Sequence, residues 1–359
     1  MVVTYTEVDS GYVAPASTGW QEIDISAYVP AGCVVEMLII STATWTERWI
    51  GLRNTSSSIS RALAVVETEA GGSAPVRMYA QVDGDGKVDF YAQSTNNTYW
   101  KVVGYWTGVT FTEAWEAIDD GSSTGWVEDV SLPTNDGASV HHFVCGNEAD
   151  AAGRTMGVRV PGSALDRFLN LNEAEAGGAN TIDIIAMSDS SGNIDYYTDV
   201  AGDEWIYNAG YFSKHLIFVE NEFTDVAGAV DDAWTDTDIS GYLDRDGRIA
   251  DFACLFQGAS AENETGVRGN DYGSLSIRYI LIHEAEGNGT WVGYGMSATS
   301  DSSGIVEYYA GNSNAEIQIS GYFIPTLPWD VNGVDRTLIK YINGVPVENI
   351  ASVNGVDVI

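Results

Sequence analysis

Basic residues are scarce in this chain. Sixteen lysines and arginines face 51 acidic residues over 359 positions, for a formal net charge of −35. Only Lys87, Lys101, Lys214 and Lys340 are lysines. Nucleic-acid binding relies on a basic stripe that displaces counterions, and the sequence holds none. An anionic membrane surface would repel such a chain as well. Cysteine is scarcer still. Cys145 and Cys254 fall at matching places in apolar stretches but Cys33, directly after Gly32, does not, so the set excludes a disulfide framework and suggests buried thiols. No C-x-x-C or Cys/His cluster offers a zinc site. No apolar run approaches the length of about 18 residues that would span a bilayer. Met1 to Ser10 shows no basic region followed by an apolar stretch, so no signal peptide is expected.

What is present is repetition. Gly51-Leu52-Arg53 returns as Gly157-Val158-Arg159 and Gly266-Val267-Arg268, 106 and then 109 residues further on. Trp20, Trp126 and Trp234 precede it. The pairs Glu67/Glu69, Glu173/Glu175 and Glu284/Glu286 follow it. Next come Asp89-Phe90-Tyr91, Asp195-Tyr196-Tyr197 and Glu307-Tyr308-Tyr309, and each copy closes on Gly104-Tyr105-Trp106, Gly210-Tyr211-Phe212 or Gly321-Tyr322-Phe323. An ordered set of markers at one period means one domain written three times. The copies span 1–109, 110–216 and 217–327, and 328–359 form a separate tail.

Within a copy the texture is that of short strands. Trp20 to Tyr28 alternates apolar and polar residues, as a half-buried strand does. Cys33 to Ile40 is a dense apolar run that reads as a central strand. Arg61 to Glu69 fits strand or helix, and its valines and the following Gly71-Gly72 favour strand. Ser163 to Leu171 fits one or two helical turns capped by Ser163. Asp83-Gly84-Asp85-Gly86 and its counterparts at 188–192 and 300–304 mark hairpins. Short strands punctuated by turn residues predict an all-β chain of three tandem, jelly-roll-like antiparallel sandwiches. The joints hold no Gly/Ser-rich or Pro-rich linker, so the units should be semi-rigidly connected.

The tail differs. Val331-Asn332-Gly333-Val334, Ile342-Asn343-Gly344-Val345 and Val353-Asn354-Gly355-Val356 recur every 11 residues, with Leu338-Ile339 and Ile350 between them. Asn-Gly is a tight-turn dipeptide, so a small meander of strands of about four residues is expected. A segment this short cannot bury its apolar positions alone. Val331, Val334, Leu338, Ile339, Ile342, Val345, Ile350, Val353 and Val356 are therefore the candidate assembly surface.

A C-terminus of the form I-x-x-I-N-G-V followed by I-x-x-V-N-G-V, here Ile339 to Val345 and Ile350 to Val356, resembles the ends of structural proteins in tailed viruses of bacteria and archaea. The resemblance covers only the tail. It implies a virion appendage: a tail or head fibre, a turret or a capsid decoration. Charge adds a second expectation with two readings. Self-repulsion can simply keep an acidic protein dispersed. Alternatively, abundant acid with scarce lysine resembles proteins of halophilic organisms, whose salt shortens the Debye length to about 3 Å or less. The second reading expects melting temperature to fall as salt is removed.

Few residues suggest chemistry. Arg53, Arg159 and Arg268 recur in a chain poor in arginine, so each should hold a fixed partner. Glu67, Glu69, Glu173, Glu175, Glu284 and Glu286 are the natural candidates for an inter-strand salt bridge; an anionic ligand or a neighbouring subunit is the other reading. Paired carboxylates can cleave glycosides, but no further acid, base or nucleophile recurs beside them. Asp83 to Lys87 lacks the closing Glu of a calcium loop and reads as a turn. His141, His142, His215 and His283 occupy no matching positions and read as incidental. The recurring Trp and Tyr residues either fill the sandwich cores or, where exposed, stack on sugars. No P-loop, dinucleotide fingerprint or nucleophile elbow appears. The expectation is a non-enzymatic virion protein without cofactor or metal. It would assemble through its tail into a homo-oligomer, with a trimer as the guess, beside other virion proteins. The alternative is a carbohydrate-binding adhesin that meets host glycans.

Overall fold

The computed structural model describes residues 3–43, 46–65, 73–119, 122–132, 137–148, 152–173, 179–213, 215–226, 231–245, 247–256, 261–270, 272, 278–284, 291–311 and 313–325, together with six residue pairs of the tail. The strands of the first unit are β1 (Thr4–Glu7), β2 (Gly19–Asp24), β3 (Val34–Ser41), β4 (Arg48–Arg53), β5 (Ala62–Val65), β6 (Ala74–Gln81), β7 (Lys87–Ala92) and β8 (Thr98–Thr107). The second has β9 (Phe111–Asp119), β10 (Gly125–Ser131), β11 (Val140–Asn147), β12 (Ala152–Arg159), β13 (Phe168–Glu173), β14 (Asn180–Met187), β15 (Asn193–Thr198) and β16 (Glu204–Phe212). The third has β17 (Leu216–Asp225), β18 (Asp231–Asp238), β19 (Ile249–Phe256), β20 (Ala261–Gly269), β21 (Tyr279–Glu284), β22 (Val292–Thr299), β23 (Ile305–Ala310) and β24 (Ala315–Pro325).

Each unit is a jelly roll. In the first, β1-β8-β3-β6 form one four-stranded sheet and β2-β7-β4-β5 the other. The same order recurs in β9-β16-β11-β14 with β10-β15-β12-β13, and in β17-β24-β19-β22 with β18-β23-β20-β21. All pairings within these sheets are antiparallel. The turn joining β6 to β7 is built alike in each copy. The carboxylates of Asp83, Asp189 and Asp301 accept the backbone N–H groups two and four residues on, at 2.8–2.9 Å.

The units do not string out in a line. They close into a ring, with the third packed back on the first. The central strands explain why. β3, β11 and β19 are buried at every position, so apolar residues dominate β3 and β19 and even the polar residues of β11 are enclosed. One face of each serves its own sandwich and the other the core of the preceding unit. Val144 and Ala209 join the first unit's core, Ala253 and Leu255 the second's, and Leu38, Ile40 and Val103 the third's. A fourth cluster lies at the centre. It gathers Tyr5, Phe111 and Phe218, then Val34, Val140 and Ile249, then Trp106, Phe212 and Phe323, each trio from matching positions. The last trio meets ring to ring at 4.8–6.5 Å. This is a pseudo-threefold axis within one chain.

Two local expectations change. Ser163 to Arg167 is not helical: the Ser163 hydroxyl accepts the Leu165 N–H at 3.2 Å in an extended loop, and β13 begins at Phe168. That path lets Arg167 enter the inter-unit core, where a helical turn would carry it away. Among the described residues the tail strands pair as three separate two-stranded ladders. Asp330-Val331 pairs with Val334-Asp335, Tyr341-Ile342 with Val345-Pro346, and Ser352-Val353 with Val356-Asp357. Each of these strands is two residues long. Leu338, Ile339 and Ile350 lie outside the described residues, as do the side chains of the rest of the tail. Among the described residues the only helix is a 3-10 turn at Ser240–Tyr242.

Candidate functional site

The repeated tripeptide does three jobs at one spot. Gly51, Gly157 and Gly266 stand where a Cβ would overlap the carbonyl oxygen of Arg61, Arg167 or Arg278 on the neighbouring chain segment. Leu52, Val158 and Val267 point into the sandwich cores. Arg53, Arg159 and Arg268 point outward. Their guanidinium groups lie over Trp20, Trp126 and Trp234 at 4.0, 3.7 and 4.1 Å from the ring centres. They bridge to Asp89, Asp195 and Glu307 at 3.1, 3.4 and 2.7 Å. Those acids sit directly opposite on the paired strand. The partner acid therefore comes from the Asp/Glu-x-Tyr marker. Glu67, Glu69, Glu175 and Glu286 lie outside the described residues, as do the side chains of Glu173 and Glu284. Tyr91, Tyr197 and Tyr309 pack beside the three tryptophans, while Phe90, Tyr196 and Tyr308 fill the cores. The aromatic markers thus divide between core, outer face and axis.

The arginines behind the glycines were not singled out from the sequence, and they close the ring. Arg61, Arg167 and Arg278 are fully buried. Each donates to the carbonyl of Leu52, Val158 or Val267 at 2.9–3.1 Å. Each then reaches a glutamate of the next unit: Arg61 to Glu113 at 3.4 Å, Arg167 to Glu220 at 3.4 Å, and Arg278 back to Glu7 at 2.7 Å. The glutamates in turn accept backbone N–H groups just after the repeated tripeptide, from Asn54, Val160 and Gly269. Burial pulls Arg61 down to about 10 against the opposing pull of Glu113. Burial works the same way on Arg278, but Glu7 and Tyr5 hold its charge firmly. The sequence carried a trace of this set. Tyr5-Thr6-Glu7, Phe111-Thr112-Glu113 and Phe218-Val219-Glu220 match, as do arginines eight, eight and ten residues after Arg53, Arg159 and Arg268.

On the axis the repetition fails. Arg77, Asp183 and Gly295 hold matching places on β6, β14 and β22, and Glu36, His142 and Asp251 on β3, β11 and β19. Arg77 bonds Asp183 and Asp251 at 2.5 Å each, with Glu36 at 3.7 Å. Asp183 also accepts the Gly295 N–H at 2.9 Å, and His142 lies 3.6 Å away. Glu36 accepts the Ser297 N–H at 3.0 Å, and Asp251 accepts the Ser320 hydroxyl at 2.6 Å. Burial raises the Glu36 and Asp251 carboxyls despite Arg77. Burial works the same way on Asp183, yet Arg77 and His142 hold it below the usual carboxylate range. His142, read from the sequence as incidental, belongs to this network, because the fold carries its strand to the axis. His141 faces Asn208 at 3.3 Å, and burial lowers it to about 4. Burial also pushes the Cys33 and Cys254 thiols up to about 12, and all the cysteines are free and buried. Among the described residues no group of three or more His, Cys, Asp or Glu side chains is placed to hold a metal ion.

No protein-family description matches the chain, and no curated protein matches it in sequence. Among solved structures, the atomic structure of Sulfolobus turreted icosahedral virus is 9% identical, covers 91% of this chain and 92% of its own, and overlays at a TM-score of 0.19. A structure described as the triple jelly roll fold and turret assembly of an archaeal virus is 8% identical, with coverage of 91% and 90% and a TM-score of 0.19. The N-terminal CBM22-1-CBM22-2 tandem domain of Paenibacillus barcinonensis Xyn10C is 10% identical over 58% of this chain and 93% of its own, at a TM-score of 0.16. Overlaps of this size establish no kinship.

Proposed function

We propose that the chain is a non-enzymatic structural protein of a virus particle, carried as an appendage or decoration and assembled through its C-terminal segment. The observation that carries this reading is the pairing of a closed, rigid ring with three hairpins of two-residue strands. Isolated hairpins are marginal in water, so the tail gains stability by lying on another surface. A second copy or a neighbouring virion protein supplies it. The repeated arginines and their described acidic partners are engaged with one another, which suits a scaffold. The resemblance of the tail to the ends of tailed-virus proteins supports that particle class, and the acidic, lysine-poor composition supports a halophilic host. The particle is then the site of action, and a homo-oligomer joined by tails is the working form. A chain ending at residue 327 should keep its circular dichroism spectrum and unfolding transition but sediment as a monomer. An oligomer that survives this truncation would refute the assembly role.

A further inference from the structure

One junction of the ring is not crossed by the chain. Thr107 to Phe111 carry the first unit into the second, and Phe212 to Leu216 the second into the third, while the third meets the first by contact alone. Ser297 on β22 is the meeting point. Its N–H donates to Glu36 at 3.0 Å. Its carbonyl accepts the Tyr5 hydroxyl at 3.3 Å and Arg278 at 2.8 Å, and its hydroxyl lies 3.4 Å from Arg77 and from Tyr79. Around this point the charges do not balance. Arg77 and Arg278 bring two guanidinium groups against the four carboxyls of Glu7, Glu36, Asp183 and Asp251, and all six side chains are buried. Glu7 takes Arg278 at 2.7 Å, so the other three share Arg77. Asp183 and Asp251 hold it at 2.5 Å each, and each has a further donor in the Gly295 N–H or the Ser320 hydroxyl. Glu36 stands back at 3.7 Å, with the Ser297 N–H as its donor.

We propose that Glu36 carries a proton in the closed ring, and that its loss opens the seam between the third and first units, so that the axis is a pH-sensitive clasp. With every carboxyl ionised, two net negative charges would remain in a buried volume, and charges so placed are neutralised by protonation. Glu36 has the most distant cation of the four, so the proton rests there. No other neighbour can cancel the excess. Tyr79 on β6 and Gly104 on β8 lie directly opposite Glu36. Tyr5 and Glu7 approach from β1, His142 from β11, Asp183 from β14, Asp251 and Cys254 from β19, and Arg278 from the segment before β21. Burial holds His142 below the usual imidazole range and pushes the Cys254 thiol up to about 12. Burial also raises Tyr5 and Tyr79, so none of these adds a charge near neutrality. The Glu7 and Asp251 carboxyls are raised by burial as well, but each has a guanidinium within 2.7 Å to oppose it. Burial raises Glu36 against the more remote pull of Arg77 and Arg278. A carboxyl raised in the folded state contributes its full stability at acid pH and loses it as pH climbs through the raised value. Opening therefore belongs to the alkaline side.

The test uses the full chain in mildly acidic and mildly alkaline buffers at one salt concentration. The urea midpoint of the wild type should fall on the alkaline side. Glu36→Gln keeps the shape and cannot ionise, so it should match the wild type in acid and exceed it in alkali. Its unfolding at neutral pH should release about one proton fewer per chain. Hydrogen exchange, corrected for its intrinsic pH dependence, locates the opening. In the wild type the N–H groups of Ser297 and Gly269, which reach across the seam to Glu36 and Glu7, should lose protection in alkali first. Those of Asn54 and Val160, which face Glu113 and Glu220 at the other junctions, should lose it later. The proposal is overturned if the Glu36→Gln midpoint falls in step with the wild type, or if alkaline exchange spreads evenly over the three junctions. It is also overturned if Glu36→Gln is less stable at both pH values, since that result means an ionised Glu36 paired with Arg77. The exchange measurement needs no variant and decides alone if Glu36→Gln does not fold.

Discussion

The ring of Arg–Glu bridges and the charged axis it encloses follow opposite rules. Off the axis each unit meets the next, so Arg61, Arg167 and Arg278 can be the same residue three times, each with its own glutamate. On the axis each position meets its own copies. Three arginines at the place of Arg77 would crowd three like charges into one buried volume, at a severe desolvation and repulsion cost. The chain places arginine, aspartate and glycine there instead. A homotrimer is denied that freedom, because its subunits share one sequence. Fusion of the copies allows the centre to be filled asymmetrically while the rim stays regular.

The contrast can be broken from the centre outward. Arg77→Met leaves Asp183 and Asp251 buried without their shared cation, so the loss should exceed the roughly 3–5 kcal/mol of a single broken buried pair. Little folded ring should remain at neutral pH by circular dichroism and sedimentation. A variant that unfolds like the wild type would mean the axis is not a charge network. Arg278→Met should cost about 3–5 kcal/mol in urea unfolding. Arg61→Met should cost clearly less, since its bridge is longer, 3.4 against 2.7 Å, and two of its nitrogens are already unpartnered. Equal losses would show that the rim ignores bridge geometry. Arg159→Met loses a cation–π contact and a bridge whose side chains are only 11% and 2% exposed, leaving Asp195 with the Asp129 N–H, so it should cost about 3 kcal/mol. A near-zero change in urea unfolding would mean that this bridge does not behave as a buried one. Gly295→Ala places a methyl about 2.5 Å from the Arg77 guanidinium and 2.6 Å from the Asp183 carboxylate. Overpacking of this kind costs about 1–3 kcal/mol, and a shift in melting temperature measures it.

The same contrast explains what the sequence disclosed. Repeated residues are visible by comparison of copies, so the Gly-x-Arg tripeptide, the aromatic markers and the hairpins could be read directly. β3 and β19 announced themselves as apolar runs because they are covered on both faces. Arg61 and its counterparts were equally periodic, but their role depends on a carboxylate from another unit. In the case of Glu7 that partner lies 271 residues away. Arg77, Asp183 and Gly295 could not be aligned by chemistry at all, and only strand register reveals that they are counterparts.

The bridge from Glu7 to Arg278 sets a condition on biosynthesis. At translation rates of about 5–20 residues per second, the first jelly roll leaves the ribosome tens of seconds before its final partner. Until then the nascent chain holds Glu7 without Arg278 and Arg77 without Asp251. A product cut short by a premature stop never satisfies them and stays exposed to proteases. Closure of the ring thus requires all three units, and a chain that stops before Arg278 is expected to be cleaved faster in limited proteolysis than one that includes it.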